Sequence, residues 1–404
     1  MIVAMAWRNI WRNKTRSVVI ISAIAIGLFA GIAVLALYKG MMKSRVRNVV
    51  DAEIGHFQIH DTNFIKDYEP QYVLANGGEV LKAVASMPEV KLAAPRSITN
   101  GMLATATGSA GVKINGVIPH LEYQASQLKH KIRDGRGFDS TKKNEVIVGR
   151  KLANKMKLRL GSKLVLTFTD ATGEIVSGAF RVSAIYQSDN TPLDERNIYV
   201  TMNDLNVLLN TGNAFHEVVI LLKNDNDLKI VQQKLRNKFA SYKVESWIDI
   251  SPETDLLVKT TDQYSYIIIT IIMIALAFGI INTMLMAILE RTREIGMMLA
   301  LGTSRLKIFL LVLLETIFLT LGGTPVGTLV CWLLISWFNE HGLDLSGMGT
   351  EMMSSFGFNT MVYPEFPSEK LVGIFLIVTS TAIISCLIPA VRALKLQPVE
   401  ALRK

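Results

Sequence analysis

Four strips of this sequence are nearly free of charge, and they decide what the chain can fold into. Val18–Leu37, Tyr266–Leu289, Ile308–Trp337 and Leu371–Val391 together hold one Asp, Glu, Lys or Arg, which is Glu315. Each is at least as long as the roughly 20 residues a helix needs to cross about 30 Å of hydrocarbon. The other 309 residues carry 76 of the 77 charges, close to the roughly 25% of soluble domains. The 19% whole-chain charge therefore averages two different materials. A wholly soluble enzyme, a disordered chain and a fibrous repeat are excluded; a membrane protein with a large water-facing part remains.

The first strip is preceded by Arg8, Arg12, Lys14 and Arg16, as a secretory signal would be. It is longer than a signal core of roughly 7–15 residues and lacks a small-residue cleavage pattern, which favours an uncleaved anchor. The third strip is interrupted by Gly322-Gly323 and Pro325. Split there, its halves fall short of the roughly 17 residues needed to cross, so one kinked or tilted helix is expected. Cys331 and Cys386 both lie inside apolar strips, leaving the aqueous part without cysteine and without a disulfide framework.

Charge sorts the connections. Residues 1–17, 290–307 and 392–404 carry twelve Lys and Arg, whereas 338–370 carries only Lys370 against five acids. By the positive-inside rule both termini and 290–307 are cytoplasmic. The expected order is a cytoplasmic amphipathic helix (1–17), a span (18–37), an outward domain (38–265), spans at 266–289 and 308–337 around the connection 290–307, an outer loop (338–370), a span (371–391) and a cytoplasmic tail (392–404). Lys39, Lys43, Arg45 and Arg47 oppose the rule, but long domains translocate regardless of charge. Their spacing suggests that the span continues as a helical stalk.

The outward domain reads as mixed α/β. Strands are expected at Glu53–His60, within Lys91–Val117, and at Asn144–Gly149, Lys163–Thr169, Ile175–Tyr186, His216–Leu222 and Tyr242–Ile248. Helices are expected at Glu79–Met87, at Arg150–Lys157 and after Asp225–Asp227, where Leu228, Val231, Leu235 and Phe239 share a face. Strand–helix–strand units at both ends of a β-rich middle suggest one subdomain inserted in another. Ser251–Gln263 reads as a second stalk.

Catalytic motifs are missing. No phosphate-cradling G-x-x-x-x-G-K-[ST] loop occurs. Thr107-Gly108-Ser109-Ala110-Gly111 only approximates a nucleophile elbow, and a turn is the better reading. His56 and His60 share a strand face with Gln58, which favours a polar face over a metal pair. No cofactor, metal or catalytic residue is expected.

The informative segment is Glu290-Arg291-Thr292-Arg293-Glu294-Ile295-Gly296-Met297-Met298-Leu299-Ala300-Leu301-Gly302. Helical spacing places Glu290 and Glu294 on one face, with Met297, Met298 and Leu301 nearby. Gly302 offers a left-handed cap, and Thr303 or Ser304 can start the next helix. Two readings stand level: an interfacial segment resting on headgroups, or a docking helix that enters a partner's groove. Glu315 marks a functional carboxylate by default, but near the cytoplasmic end it can snorkel or pair with Arg291, Arg293 or Arg305, and either of these is favoured over a proton relay. Gly27-x-x-x-Gly31 and Gly323-x-x-x-Gly327 permit close helix packing. Met5-Ala6-Trp7-Arg8-Asn9-Ile10-Trp11-Arg12-Asn13 reads as an amphipathic helix on membrane lipid, and nucleic-acid binding is disfavoured.

The run Asn282-Thr283-Met284 through Glu290–Gly296 and Ala300-Leu301-Gly302 closely resembles the FtsX-like permease signature. Ala6-Trp7-Arg8-Asn9, Asn144-Glu145-Val146-Ile147-Val148-Gly149, Pro389-Ala390-Val391-Arg392-Ala393 and Pro398-Val399-Glu400-Ala401-Leu402 extend the resemblance over the whole chain. It implies four transmembrane helices and a large α+β extracytoplasmic domain between the first two, porter-like with an inserted β-rich sabre-like subdomain. It further implies a mechanotransmitting ABC transporter of the bacterial inner membrane, with two copies of a cytoplasmic ATPase subunit and a second permease subunit forming a homodimer or heterodimer. Glu290, Arg291, Arg293, Glu294, Ile295, Gly296, Met297, Met298, Leu301 and Gly302 would form the coupling helix. Fused-ATPase MacB types and FtsX types with small outward domains fit less well than a LolC/LolE-like, lipoprotein-releasing subunit, which would also meet a periplasmic lipoprotein carrier. An efflux or export subunit and a transmembrane regulator of an envelope hydrolase are the alternatives.

Overall fold

The computed structural model describes residues 2–394 apart from Asn13, Ser140 and Asp189. The terminal motif Pro398–Leu402 lies outside the described residues. The chain divides into two compact units. The first combines the residues up to Met42 with Val258–Leu343 and those from Met361 onward; the second combines Lys43–Leu257 with Asp344–Thr360.

Among the described residues four helices are long and apolar enough to cross a membrane: Ser17–Val49, Pro252–Glu290, Arg305–His341 and Ser368–Leu394. At 1.5 Å per residue, a 37-residue helix such as Arg305–His341 is about 55 Å long, well beyond the hydrocarbon thickness. It runs unbroken through Pro325, although proline removes one backbone donor. Thr316, Thr320 and Thr324 donate their hydroxyls to the carbonyls of Val312, Thr316 and Thr320 at 2.8–3.0 Å, so none of the three exposes an unpaired hydroxyl to lipid.

The core of the first unit joins Ile20, Ile24, Leu28 and Ile32 to Ile280, Leu319 and Val378. The two glycine pairs face different neighbours. A Cβ on Gly27 would lie 3.0 Å from Leu276 and one on Gly31 3.8 Å from Ile272, whereas one on Gly327 would lie 2.6 Å from the backbone oxygen of Ala25. Gly323-x-x-x-Gly327 thus brings the first and third span backbones together, while Gly31 leaves room for a methyl. Lys39, one of the cations that opposes the charge rule, sits 2.8 Å from Glu369 and 3.4 Å from Glu365.

The second unit is built on ten strands: β1 Phe57–His60, β2 Val90–Thr105, β3 Gly108–Val117, β4 Ile132–Gly135, β5 Glu145–Gly149, β6 Lys163–Thr169, β7 Ile175–Tyr186, β8 Asn197–Thr201, β9 Glu217–Leu222 and β10 Lys243–Ser246. Their order is β10-β1-β9-β2-β3-β8-β5-β7-β4, with β6 against β2 and β7. One core takes Phe57, Ile59, Val80 and Val84 from the beginning of the domain and Val218, Ile220, Val231 and Leu235 from its end. The other takes Leu103, Ile114, Val148, Leu166, Phe180 and Leu205 from the middle.

Two expectations fail locally. Glu53–His60 is a strand only from Phe57; Val50–Ile54 is a π-helical turn closed by Gly55 at φ 73°. A Cβ at Gly55 would stand 2.5 Å from Val219 Cγ1, so the chain can turn into the sheet there only through glycine. Tyr242–Ile248 is strand only over Lys243–Ser246, because Ser246 and Asp249 form a capping box that starts a helix at Trp247. The connection read as one outer loop is also divided: Asp344–Thr360 belongs to the second unit, where Thr191 Oγ1 donates to Ser354 Oγ at 3.3 Å.

Candidate functional site

The second-span helix ends at Glu290, and a separate helix, Thr292–Ala300, begins after Arg291. The break means that Glu290 and Glu294 do not share one continuous helical face. At the other end Gly302 takes φ 85°. Its N–H donates to Leu299 O at 3.1 Å, and the Thr303 N–H donates to Met298 O at 3.0 Å. That pair of bonds is a Schellman closure, which a left-handed glycine permits. Ser304 is the N-cap of the third span, which starts at Arg305.

Ile295 and Gly296 are buried, while Met298 and Leu299 pack against the unit's core. Arg293, Glu294, Met297 and Leu301 are exposed, Leu301 by 81%. The short helix therefore has a root and a free face. The free face carries charged and apolar side chains together, a mixture that suits lipid headgroups or a partner's groove.

Its root is held by an ion pair the spacing alone left open. Arg291 Nη1 donates to Glu315 at 3.3 and 3.4 Å, and Arg291 Nη2 to the carbonyl of Asn9 at 3.2 Å. Both side chains are largely enclosed, at 13% and 6% exposure. The intramembrane carboxylate is thus neutralised by an arginine from the preceding helix break, which limits the cost of burial. A cavity of about 30 Å³ adjoins the pair, between Asn9, Ile295, Ile308 and Glu315.

The N-terminal helix Ile2–Arg12 is the third party. Ala6 and Ile10 are buried, Ser17 Oγ donates to Ile10 O at 2.6 Å, and Trp7 meets Phe318 edge-on with ring centroids 5.7 Å apart. Arg12 pairs with Glu294, whose hydrogen bond and charge raise the guanidinium pKa above its ordinary value. These partners lie 282 residues apart in sequence, so no local pattern announces them; the aromatic–cation alternation pointed to lipid alone.

In the second unit His56, just before β1, and Gln58 and His60 on β1 all have partners. His56 Nδ1 accepts from Leu222 N–H at 3.2 Å, leaving Nε2 to donate to Asp225 at 2.9 Å. His60 Nε2 contacts Glu245 at 3.0 Å and Gln58 donates to Ile54 O at 3.1 Å. Gly108 to Gly111 open β3, directly after the turn from β2, with no strand-to-helix elbow. Among the described residues no cluster of His, Cys, Asp or Glu is grouped to hold a metal ion.

Family comparison agrees with this architecture. The MacB-like periplasmic core domain family matches residues 17–238, and the FtsX-like permease C-terminal family matches residues 266–398. The chain belongs to the FtsX-like permease family with a MacB-like periplasmic core. Among its relatives is the lipoprotein-releasing system transmembrane protein LolC of Neisseria meningitidis, 23% identical over 96% of this chain and 94% of the relative. An uncharacterized ABC transporter permease of Methanocaldococcus jannaschii is 22% identical over 100% and 97%. The pyoverdine export ATP-binding/permease protein PvdT of Pseudomonas syringae is 23% identical over 98% of this chain, which spans only 58% of that longer protein. This FtsX-like permease is accordingly a multi-pass inner-membrane ABC transporter permease subunit of the LolC/MacB family.

Proposed function

We propose that this permease releases lipoproteins from the inner membrane, driven by ATP hydrolysis in a separate cytoplasmic ATPase pair. In this reading both termini and the helix Thr292–Ala300 face the cytoplasm, and that helix is the coupling helix. The observation that carries it is the helix's two-sided construction. Arg293, Met297 and Leu301 face outward, while Ile295, Gly296 and the Arg291–Glu315 pair tie its root to the second and third spans. A push on the free face is then delivered to two spans at once rather than absorbed by a flexible loop. Near-complete mutual coverage with LolC supports lipoprotein as the substrate class. A second permease subunit and a periplasmic carrier complete the assembly.

Coverage of this chain by PvdT supports a second reading, an export system in which the same coupling helix serves another cargo. One experiment separates them. The permease and its co-purifying ATPase are reconstituted into proteoliposomes loaded with a lipoprotein, and ATP is added. Lipoprotein appearing in the soluble fraction, and its loss with Leu301→Asp, is the expected result. ATP turnover without release favours export.

A further inference from the structure

The formal charge of the chain, +9, is equalled by one stretch of 35 residues. Residues 129–163 hold twelve Lys and Arg and three acids, so the rest of the chain balances to zero. The topology rule accounts for basic residues beside the spans; it does not account for this cluster, which lies in the second unit.

The fold gathers part of the cluster around a cleft. β4 is the last strand of its sheet, bonded on one side to β7. Beside it, the helix Arg150–Lys155 and the turn after it border an open concave space of about 610 Å³. Asp134, Arg150, Asn154, Lys157 and Arg159 supply polar groups, and Leu160 and Ile185 supply apolar walls. Leu160 is 49% exposed. The turn is fixed by its own backbone: Lys157 is left-handed at φ 52°, and the Arg159 N–H donates to Ser162 Oγ at 2.9 Å.

The three carboxylates of the stretch are engaged nearby. Asp134 pairs with Arg150 at 2.7 Å, Asp139 with Arg136 at 3.3 Å, and Glu145 accepts from the Asp139 N–H at 2.7 Å. Among the described residues, Lys157 and Arg159 form no ion pair. Charges that only guard a sheet edge belong on the edge strand itself, where Arg133 already stands. Lys157 and Arg159 lie instead on the turn that lines the cleft.

We propose that this cleft docks an extended acidic segment of a partner protein. Carboxylates would reach Lys157 and Arg159, and alternate apolar side chains the wall formed by Leu160 and Ile185. A concave, part-apolar cleft suits a polypeptide better than the flat surface of an anionic membrane. The proposal is independent of the ATPase reading.

The test uses the full chain in phosphatidylcholine nanodiscs and a fluorescein-labelled ten-residue peptide of alternating Glu and Val, followed by anisotropy. Binding should weaken with added salt and fall about tenfold in the double variant Lys157→Glu/Arg159→Glu. The milder Lys157→Gln/Arg159→Gln should lie between that variant and wild type, and Lys91→Glu/Lys229→Glu should stay within about twofold of wild type. An alternating Lys–Val peptide should not bind. Three results overturn the proposal: no binding of the acidic peptide, equal loss in the Lys91/Lys229 control, or capture of phosphatidylglycerol vesicles through Lys157 and Arg159 without peptide binding.

Discussion

Each unit of the molecule holds an enclosed arginine–carboxylate contact, and the two are built to different tolerances. In the second unit Arg96 grips Glu122 with two parallel bonds, Nε at 2.9 Å and Nη2 at 2.7 Å, with Glu217 at 3.5 Å. Burial works against its charge, yet the two carboxylates hold its pKa above the ordinary value. In the first unit the Arg291–Glu315 contact is longer, at 3.3 Å, and borders a cavity. A tight bidentate pair on a closed sheet fixes one geometry. A looser pair beside free volume can hold its charge balance while the helix it roots shifts. The difference fits a fixed platform in one unit and a movable joint in the other.

The comparison breaks most sharply at the tight cluster. Arg96→Ala strands two buried carboxylates and should cost about 3–5 kcal/mol. Thermal unfolding read from fluorescence of Trp247, the one tryptophan of the second unit, would show it; an unchanged transition would mean the cluster is not locked. Arg291→Ala should lower coupled ATP hydrolysis more than it lowers stability, since Glu315 near the end of its span can regain water.

Acidification gives the next effect. His216 accepts from the Ile98 N–H at 3.0 Å and donates to Pro70 O at 3.0 Å, and burial lowers its pKa to about 4. The unfolded chain, with an ordinary histidine near 6.5, then binds the proton first. Stability contributed by neutral His216 is whole above about pH 6.5 and is lost as pH falls toward 4, by about 3 kcal/mol. The melting temperature of the second unit should drop across that window, and His216→Gln should flatten the drop.

Smaller effects test the seams. Gly327→Ala drives a methyl against the Ala25 backbone and should cost about 1–3 kcal/mol, whereas Gly31→Ala should stay within about 0.5 kcal/mol. Equal costs would mean the two pairs do not differ as their neighbours indicate. Glu294→Ala removes an exposed pair with Arg12 and should cost at most about 1 kcal/mol of stability.

Much of this was legible because the signals are local. Charge-free strips and the apolar face through Val231 and Leu235 each follow from neighbouring residues. Where an expected strand failed, the deciding contact was distant at Gly55, where Val219 leaves no room for a side chain, and local at Ser246, whose capping box with Asp249 ends the strand. The short helix was readable as a segment, but its anchorage was not. Arg12 and Glu294 meet only after folding, and Gly31 and Gly327 share a spacing yet meet a side chain in one case and a backbone in the other.

In the proposed function an ATPase subunit docks on the free face of Thr292–Ala300. Photocrosslinking from a benzophenone amino acid placed at Leu301, in membranes containing the ATPase, addresses it most directly. The expected product is an adduct between permease and ATPase that is absent when the same probe replaces Leu160. Labelling of lipid alone from Leu301, with the ATPase present and active, would contradict it.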